Sequence, residues 1–356
     1  MNSKAIDFVQ KECSTYFTGA RVEPLMPLKN SVLMVTGGTG FVGTWLAEMV
    51  SFLNETASFN CQLILVARDL ERFKKKCPHL ASNRNITLIK ADVRFALDLP
   101  RECNWIVHGA AVPDHHTSLS YPIETMTTIA QGTEAVLRFS ERCSDLKMLL
   151  NLSSGWVYGD QPVEVEKIPE SYSGGPSLNT INSIYPEAKR YSEVLAASFR
   201  HQLKVPVTTV RPFAFLGPYQ RLSSPWAANN FIFDALSGNK IRILGNGETV
   251  RSYMYATDMA YWLLNMLVRS NSGACYNLGS PEPIALGELA RMVSSLVSTP
   301  TEVSFSSGAD MQKASRKSKL VPDTALAEKD FALKHTVSLR ESLSKTIDWY
   351  KVSQEV

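Results

Sequence analysis

Residues 31–43 read SVLMVTGGTGFVG, a short β-branched apolar run followed by a glycine-rich turn and the start of a helical pattern. This strand, turn and helix order is the context in which glycines bind the phosphates of a dinucleotide. Gly37 permits the tight turn, Gly40 lets the backbone approach the pyrophosphate, and Gly43 allows close packing of the helix. The amino end of the helix adds N–H donors and a positive dipole. The predicted pyrophosphate-binding residues are Gly37, Gly40, Phe41, Val42 and Gly43.

Similar apolar runs recur along the chain and alternate with amphipathic helical patterns. The runs span residues 62–67, 86–91, 105–110, 148–154 and 205–212. This alternation predicts a parallel sheet covered on both faces, the doubly wound α/β Rossmann arrangement. The pattern beyond residue 212 is less regular and predicts a smaller mixed lobe over the carboxyl ends of the strands. We therefore divide the chain into an N-terminal extension (1–30), a dinucleotide-binding domain (31–212) and a C-terminal part that is mainly the substrate lobe (213–356).

The composition excludes several classes of protein. The chain has 356 residues, 44% hydrophobic and 20% charged, which is enough to bury a large core. Its net charge of +3 is spread along the sequence and predicts no nucleic-acid partner. The six cysteines form no C-x-x-C pair, so we expect no metal and a reducing compartment. No stretch resembles a signal peptide or a membrane span, which predicts a cytoplasmic protein with no membrane partner.

The end of the second apolar run bears on the choice of cofactor. An NAD site places an acidic residue here for the ribose hydroxyls, whereas an NADP site places a cation for the added phosphate. The run ends Val66-Ala67-Arg68-Asp69. If Ala67 takes the acidic position, Arg68 meets a 2′-phosphate, but a shift of one residue gives Asp69 the ribose role. We favour NADP and keep NAD as the alternative.

A tyrosine and a lysine lie one helical turn apart in the stretch Tyr185-Pro186-Glu187-Ala188-Lys189. They share one face of the predicted helix. A tyrosine is a poor base at neutral pH, but a neighbouring cation favours its phenolate. We therefore predict that Tyr185 and Lys189, with Ser154 at the end of the fifth apolar run, carry proton transfer to or from a carbinol or ketone.

Together these motifs resemble the extended short-chain dehydrogenase/reductase family. The G-x-x-G-x-x-G spacing and the set Ser154, Tyr185 and Lys189 match its glycine loop and its Ser/Thr-Tyr-Lys triad. The resemblance implies that Ser154 positions a hydroxyl, that Tyr185 is acid and base, and that Lys189 binds the ribose and controls the pKa of Tyr185. It also implies a homodimer formed through a four-helix bundle that includes the Tyr185 helix. Further cofactor contacts implied by the resemblance are Asp92 and Val93 at the adenine, and Ala110 and Ala111 along the cofactor.

Other segments resemble the sugar-nucleotide branch of that family. These segments are Ser153 to Gly159, Arg211-Pro212 with Gly217-Pro218, and Gly245-Asn246-Gly247 before Arg251. In that branch the matching arginine binds a substrate diphosphate, a task suited to a bidentate guanidinium. We therefore name Arg251 and Asn230, beside Ser154, as residues that bind a nucleotide-diphosphate sugar. A salt bridge from Arg251 to Glu248 or Asp258 is the alternative.

The two residues after Ser154 limit the reaction. Dehydratases of the family have an Asp-Glu pair there and decarboxylases keep the Glu, whereas this chain has Gly155-Trp156. What remains is hydride transfer at one carbinol or keto carbon, expected at carbon 4. This is epimerisation or reduction of a 4-keto sugar, in deoxysugar or surface-polysaccharide synthesis. The alternatives are a 4,6-dehydratase with an atypical site, a reductase of a non-sugar ketone, and a dinucleotide sensor without catalysis.

Overall fold

The computed structural model describes residues 2–95, 99–111, 115–305 and 318–353, and its strands form one large sheet and three small ones. The strands are β1 (Val32–Thr36), β2 (Gln62–Ala67), β3 (Ile86–Lys90), β4 (Trp105–His108), β5 (Met148–Leu152), β6 (Val207–Pro212), β7 (Ala214–Leu216), β8 (Ile241–Ile243), β9 (Val250–Arg251), β10 (Tyr253–Tyr255), β11 (Cys275–Leu278), β12 (Ile284–Ala285) and β13 (Val303–Phe305).

The large sheet has seven parallel strands in the order β11-β6-β5-β4-β1-β2-β3. The order reverses between β1 and β4, and at such a point the carboxyl ends of the strands leave a crevice for a ligand. The predicted doubly wound α/β fold is therefore confirmed. The small sheets pair β7 with β10, β8 with β13 and β9 with β12.

Helices cover both faces of the large sheet. They are α1 (Ser3–Tyr16), α2 (Phe41–Ala57), α3 (Glu71–Lys76), α4 (Pro78–Ala81), α5 (His115–Ser120), α6 (Pro122–Glu141), α7 (Ile184–Leu203), α8 (Ala227–Leu236), α9 (Ala256–Arg269), α10 (Leu286–Ser295), α11 (Ala325–Phe331) and α12 (Leu339–Ser353). Short 3₁₀ turns span Gly19–Arg21, Glu23–Leu28, Gly155–Tyr158 and Ile181–Ser183. None of the helices in the described ranges has the length and apolarity that a bilayer crossing requires.

The strands are apolar on both faces because each face has its own core. Leu33 and Val35 of β1 belong to the larger core, whereas Met34 between them belongs to the core under α6 and α7. The same alternation holds in β2, where Leu65 and Ile64 lie in different cores. A strand buried on both sides needs a continuous apolar run, which is what the sequence has.

The N-terminal extension is part of the larger core. Asn2 caps α1 by accepting a hydrogen bond from the N–H of Ala5 at 3.0 Å. The buried stripe of α1 includes Val9 and Tyr16, and the Tyr16 hydroxyl donates to the buried carboxylate of Asp258 at 2.9 Å. The segment therefore packs as an integral layer against α2, α9 and α12.

The predicted boundary at residue 212 does not separate the two halves of the molecule. Strand β11 lies after that boundary yet pairs with β6 as an edge strand of the large sheet. Helix α9, which precedes β11, is buried along most of its length and packs against α2. The dinucleotide-binding half therefore includes α9 and β11. The substrate lobe consists of the small sheets with α8, α10 and the chain around them.

Candidate active site

A cleft of about 1550 Å³ lies at the carboxyl ends of the strands, between the large sheet and the substrate lobe. Its wall contains every predicted site residue except Asn230. The predicted residues in the wall are Gly37, Gly40, Phe41, Val42, Gly43, Arg68, Asp92, Val93, Ala110, Ala111, Ser154, Tyr185, Lys189 and Arg251. The structure thus brings the predicted cofactor, catalytic and substrate residues to one cavity.

The glycine loop has close contacts that leave no room for side chains. Gly37 has a left-handed φ of 69°, and a Cβ there would lie 2.9 Å from the carbonyl oxygen of Gly109. A Cβ on Gly43 would lie 2.4 Å from the carbonyl oxygen of Gly38, so the first turn of α2 packs directly on the loop. Gly40 caps α2 without a side chain. The free N–H groups of the α2 amino end therefore border the cleft, as a pyrophosphate requires.

Ser154, Tyr185 and Lys189 meet at the base of the cleft, where β5 ends and α7 begins. Burial raises the pKa of Tyr185 to about 12, and a hydrogen bond with Ser154 acts in the opposite direction. The Tyr185 phenol is therefore protonated at neutral pH and can donate a proton to a carbonyl oxygen. The Oγ of Ser154 also accepts a hydrogen bond from the N–H of Trp156 at 3.2 Å.

Lys189 is 4% exposed, and its ammonium donates to the carbonyl oxygen of Leu152 at 2.6 Å. Burial lowers its pKa to about 8, and the charge of Glu193 acts in the opposite direction. Its Nζ lies 5.9 Å from the centre of the Tyr185 ring. The ammonium can therefore favour the phenolate of Tyr185 electrostatically when that residue acts as the base.

A partly buried ion pair next to the predicted catalytic residues was not predicted from the sequence. Glu193 accepts hydrogen bonds from Ser153 Oγ at 2.5 Å and from two nitrogens of Arg211, at 3.0 and 2.7 Å. Arg211 also donates to the Tyr158 hydroxyl at 2.8 Å. The sequence feature that could have indicated this contact is the spacing, because Glu193 follows Lys189 by one helical turn. Glu193 therefore holds α7 against β6 through Arg211, and against the end of β5 through Ser153.

The wall near the end of β2 is cationic. Arg68 is half exposed and lies 3.4 Å from Glu124, an arrangement worth little to stability. The Asp69 carboxylate accepts a hydrogen bond from the N–H of Arg72 at 3.1 Å and so belongs to the start of α3. Both residues thus have a local partner, Glu124 for the half-exposed Arg68 and the start of α3 for Asp69.

Residues predicted to contact the adenine or to line the cofactor also have contacts within the protein, as Asp92, Val93 and Ala110 show. The Asp92 carboxylate accepts hydrogen bonds from the Arg94 guanidinium, which lower the pKa of Asp92. Val93 packs against Gly132 of α6, where a Cβ would lie 2.8 Å from the valine. Ala110 borders Gly37 at a distance that only a glycine allows.

Arg251 lies in the substrate part of the cleft, with its guanidinium carbon 5.4 Å from the centre of the Trp156 ring. It donates to the carbonyl oxygens of Val250 and Ser318 at 2.8 and 3.1 Å. Burial lowers its pKa. The alternative salt bridge to Asp258 is wrong, because the Asp258 carboxylate is buried elsewhere and accepts hydrogen bonds from Tyr16 and Thr336.

The predicted substrate residue Asn230 is exposed and lies outside the cleft wall. Its neighbour Asn229 lies in the wall, is 1% exposed, and donates to the carbonyl oxygen of Arg221 at 2.8 Å. The cleft wall therefore contains the residue before the predicted one. Helix α8 begins at Ala227, and the phase of a helix decides which of two adjacent side chains faces inward.

The residues after Ser154 add no acid or base to the site. A Cβ on Gly155 would lie 2.9 Å from the Phe213 ring, so that position has no room for a carboxylate unless Phe213 moves. Trp156 is 45% exposed in the cleft, and its ring lies 5.4 Å from the Arg251 guanidinium carbon. In the described part of the chain, no cluster of three or more His, Cys, Asp or Glu could hold a metal ion.

The model of the NAD dependent epimerase/dehydratase family matches residues 33–279. The chain belongs to this family. Among curated relatives in it, UDP-glucuronic acid decarboxylase 1 of Xenopus tropicalis is 29% identical over 323 residues, 91% of this chain and 73% of the relative. UDP-glucuronic acid decarboxylase 3 of Arabidopsis thaliana is 28% identical over 325 residues, 89% of this chain and 90% of the relative.

Solved structures of the family share the fold. An epimerase of Methanothermobacter thermautotrophicus superposes with a TM-score of 0.78 at 22% identity, over 94% of this chain and 96% of the other. UDP-glucuronic acid 4-epimerase of Bacillus cereus, in complex with UDP-glucuronic acid and NAD, gives 0.76 at 20% identity, over 90% and 99%. The resemblance to the sugar-nucleotide branch of the extended short-chain dehydrogenase/reductase family is confirmed. The chain is an NAD(P)-dependent enzyme of the sugar-nucleotide epimerase/dehydratase type.

Proposed function

We propose that the protein transfers hydride at a single carbinol or keto carbon of a nucleotide-diphosphate sugar, at carbon 4. The outcome is epimerisation or reduction of a 4-keto sugar. The observation that carries the proposal is the composition of the site. Ser154, Tyr185 and Lys189 meet in the cleft, whereas Gly155 and Trp156 supply no group for a second proton transfer.

The chain's own residues account for the movement of one proton. Ser154 hydrogen-bonds the Tyr185 hydroxyl and holds the reacting oxygen beside it. In reduction, Tyr185 donates its proton to the carbonyl oxygen, and the Lys189 ammonium stabilises the phenolate that remains. In oxidation the proton moves the other way. The dinucleotide supplies or accepts the hydride when it is bound, and the glycine loop with the amino end of α2 fits its pyrophosphate.

For the cofactor we propose NADP, with NAD as the alternative. Arg68 borders the cleft directly after β2, and Asp69 is engaged with Arg72 of α3. A guanidinium at this position suits a 2′-phosphate. Denaturing the purified protein and identifying the released dinucleotide by mass spectrometry tests this. Stoichiometric NAD would contradict the reading of Arg68, and an empty site that binds NADPH tightly would support it.

For the substrate we propose a uridine-diphosphate sugar. Arg251 lies beside Trp156, two residues after Ser154, and Asn229 lines the same cleft. A guanidinium can bind the diphosphate through two hydrogen bonds. The printed names of several relatives and neighbours refer to UDP-linked sugars.

Decarboxylation of UDP-glucuronate is the second candidate, because curated relatives of that activity match about 90% of the chain at 27–29% identity. Oxidation at carbon 4 of a glucuronate gives a β-keto acid, which loses carbon dioxide without a further protein base. The absence of a carboxylate beside Ser154 argues against an efficient return of the proton to carbon 5. For this reason we place it second.

Product analysis separates the two candidates. The protein is incubated with UDP-glucose, UDP-N-acetylglucosamine, UDP-glucuronate or a UDP-4-keto sugar, with NAD(H) or NADP(H), and the sugars are separated by chromatography. The proposal predicts a 4-epimer, or a reduced 4-keto sugar with consumption of NADPH, and no product from Tyr185→Phe. Release of carbon dioxide with formation of UDP-xylose would establish the second candidate. If Tyr185→Phe turned over every substrate at the wild-type rate, the assigned catalytic roles would be wrong.

We also propose a homodimer in the cytoplasm. Helices α6 and α7 pack side by side and leave large apolar side chains exposed on their outer surface, Ile123 and Met126 on α6 and Tyr191 and Val194 on α7. Several exposed large apolar side chains on two helices that pack together are typical of a protein interface. Light scattering tests this, since Val194→Asp is expected to yield monomers while a dimer in that variant would exclude this surface.

A further inference from the structure

Four cationic side chains converge on one end of the cleft. Arg68 follows β2, Arg72 and Lys76 belong to α3, and Arg221 comes from the substrate lobe. All four line the cavity. The carboxylates beside them are Asp69, which accepts the N–H of Arg72 at 3.1 Å, and Glu124, which lies 3.4 Å from Arg68. The four cations outnumber these two carboxylates, and Asp92 in the same wall is paired with Arg94.

Arg72 and Arg221 come from segments that touch each other. Arg72 lies one helical turn before Lys76 on α3, and Lys76 contacts Tyr219, two residues before Arg221. Loss of solvent lowers the pKa of the Arg221 guanidinium, and the charge of Arg72 lowers it further, while Asp69 acts in the opposite direction. Like charges held close together raise the free energy of the site unless an anion lies between them. The arrangement is that of an anion site shared by both halves of the molecule.

The backbone of Arg221 is held on both sides. Lys76 donates to the carbonyl oxygen of Tyr219 at 2.5 Å, and the Tyr219 hydroxyl donates to the buried carboxylate of Glu48 in α2. Tyr219 itself has a left-handed φ of 75°, which turns the chain sharply here. On the other side, Asn229 of α8 donates to the carbonyl oxygen of Arg221 at 2.8 Å. Arg221 therefore links the edge of the dinucleotide half to a residue of the substrate wall.

We propose that Arg72 and Arg221, together with Arg68, form a phosphate-monoester subsite that bridges the two halves and binds the 2′-phosphate of NADP. The inference rests on the proposed function only in placing a dinucleotide in this cleft. It adds that the substrate lobe itself selects the cofactor, through Arg221. Because Asn229 connects Arg221 to the substrate wall, binding of the phosphate and binding of the sugar nucleotide are coupled, and the coupling is reciprocal.

The experiment compares dissociation constants of the full-length protein for NADPH, NADH and 2′,5′-ADP, measured by calorimetry. Arg221→Gln and Arg72→Gln are expected to weaken NADPH and 2′,5′-ADP roughly tenfold or more, the effect of one lost charge-assisted hydrogen bond. Binding of NADH is expected to change less than about twofold, because NADH lacks the phosphate. Arg242→Gln, an exposed arginine of the same lobe outside the cleft wall, is the control and leaves all three constants unchanged.

A second measurement tests the coupling. The wild-type protein is expected to bind UDP more tightly in the presence of NADP⁺ than of NAD⁺, and Arg221→Gln is expected to abolish that difference. Equal losses for NADPH and NADH, or no loss, would overturn the subsite. If Arg221→Gln lost UDP binding but kept NADPH binding, Arg221 would belong to the substrate site, and the proposed phosphate subsite would also be overturned. These measurements record binding, so they can be interpreted even if the proposed reaction is not found. A wild-type protein that binds no dinucleotide would refute the proposed function.

Discussion

Replacing Lys189 with methionine is expected to stabilise the protein while abolishing turnover. Burial lowers the pKa of Lys189 from 10.5 to about 8. That shift corresponds to about 3.4 kcal/mol of unfavourable free energy at pH 7, because one pKa unit is about 1.36 kcal/mol. The substitution also removes the hydrogen bond to the carbonyl oxygen of Leu152, which costs about 1 kcal/mol. The net expectation is an increase of about 2 kcal/mol in the free energy of unfolding.

The lowered pKa of Lys189 determines how the free energy of unfolding changes with pH. Below pH 8 the lysine is charged in both the folded and the unfolded protein, so the whole cost of burying the charge is present. Between pH 8 and 10.5 the folded protein binds fewer protons than the unfolded chain, and its stability rises with pH. The advantage of Lys189→Met over the wild type therefore shrinks as the pH rises, with the cost falling to about 2 kcal/mol at pH 9.

Urea denaturation monitored by fluorescence measures the free energy of unfolding of the wild type and of Lys189→Met at pH 7 and at pH 9. Lys11→Met, on the exposed face of α1, is the matched control and is expected to change stability by less than about 0.5 kcal/mol. If Lys189→Met were less stable than the wild type at pH 7, the buried ammonium would be a stabilising element and the reasoning would be refuted. A stability difference that did not change with pH would refute the assigned cause.

Three further predictions concern single substitutions. Gly43→Ala puts a Cβ 2.4 Å from a carbonyl oxygen of the glycine loop and is expected to weaken NADPH binding at least tenfold in a fluorescence titration; unchanged affinity would contradict the close packing. Tyr16→Phe leaves the buried Asp258 with one donor fewer and is expected to lower the free energy of unfolding by about 1–3 kcal/mol without changing cofactor affinity, whereas an unaltered denaturation curve would separate α1 from the core. Glu193→Gln removes the charge that raises the pKa of Lys189, so the alkaline loss of kcat/KM is expected to begin at a lower pH, and an unchanged pH profile would exclude that role.

The large sheet could be predicted from sequence because each central strand needs its own continuous apolar run. The run at 62–67 became β2 with the same bounds, and the glycine loop followed β1 as expected. Strand β11 has only four residues, Cys275–Leu278, and no β-branched side chain. Its place in the sheet depends on pairing with β6, which local sequence does not report. For that reason the predicted domain boundary fell too early.

The meeting of the predicted catalytic and cofactor residues in one cleft could be predicted because their motifs are local. Tyr185 and Lys189 share one turn of α7, and the glycine loop is contiguous in sequence. The cleft wall contains Asn229 and not the predicted Asn230, because the choice between them depends on where α8 begins, which pattern alone fixes only within a few residues. Arg221 was missed because its partner Arg72 is distant in the chain, so only the folded structure brings the two charges together.

The transfer of isotope from the cofactor tests the central claim most directly. The protein is mixed with [4-²H]NADPH carrying deuterium on the transferred face and a UDP-4-keto sugar, and the product is examined by mass spectrometry and NMR. One deuterium is expected at carbon 4 of the sugar with the wild type, and none with Tyr185→Phe. An epimerase and a reductase both give this result, since each returns hydride to a 4-keto carbon. Absence of deuterium at carbon 4, in a protein shown to bind both molecules, would contradict hydride transfer as the function of this site.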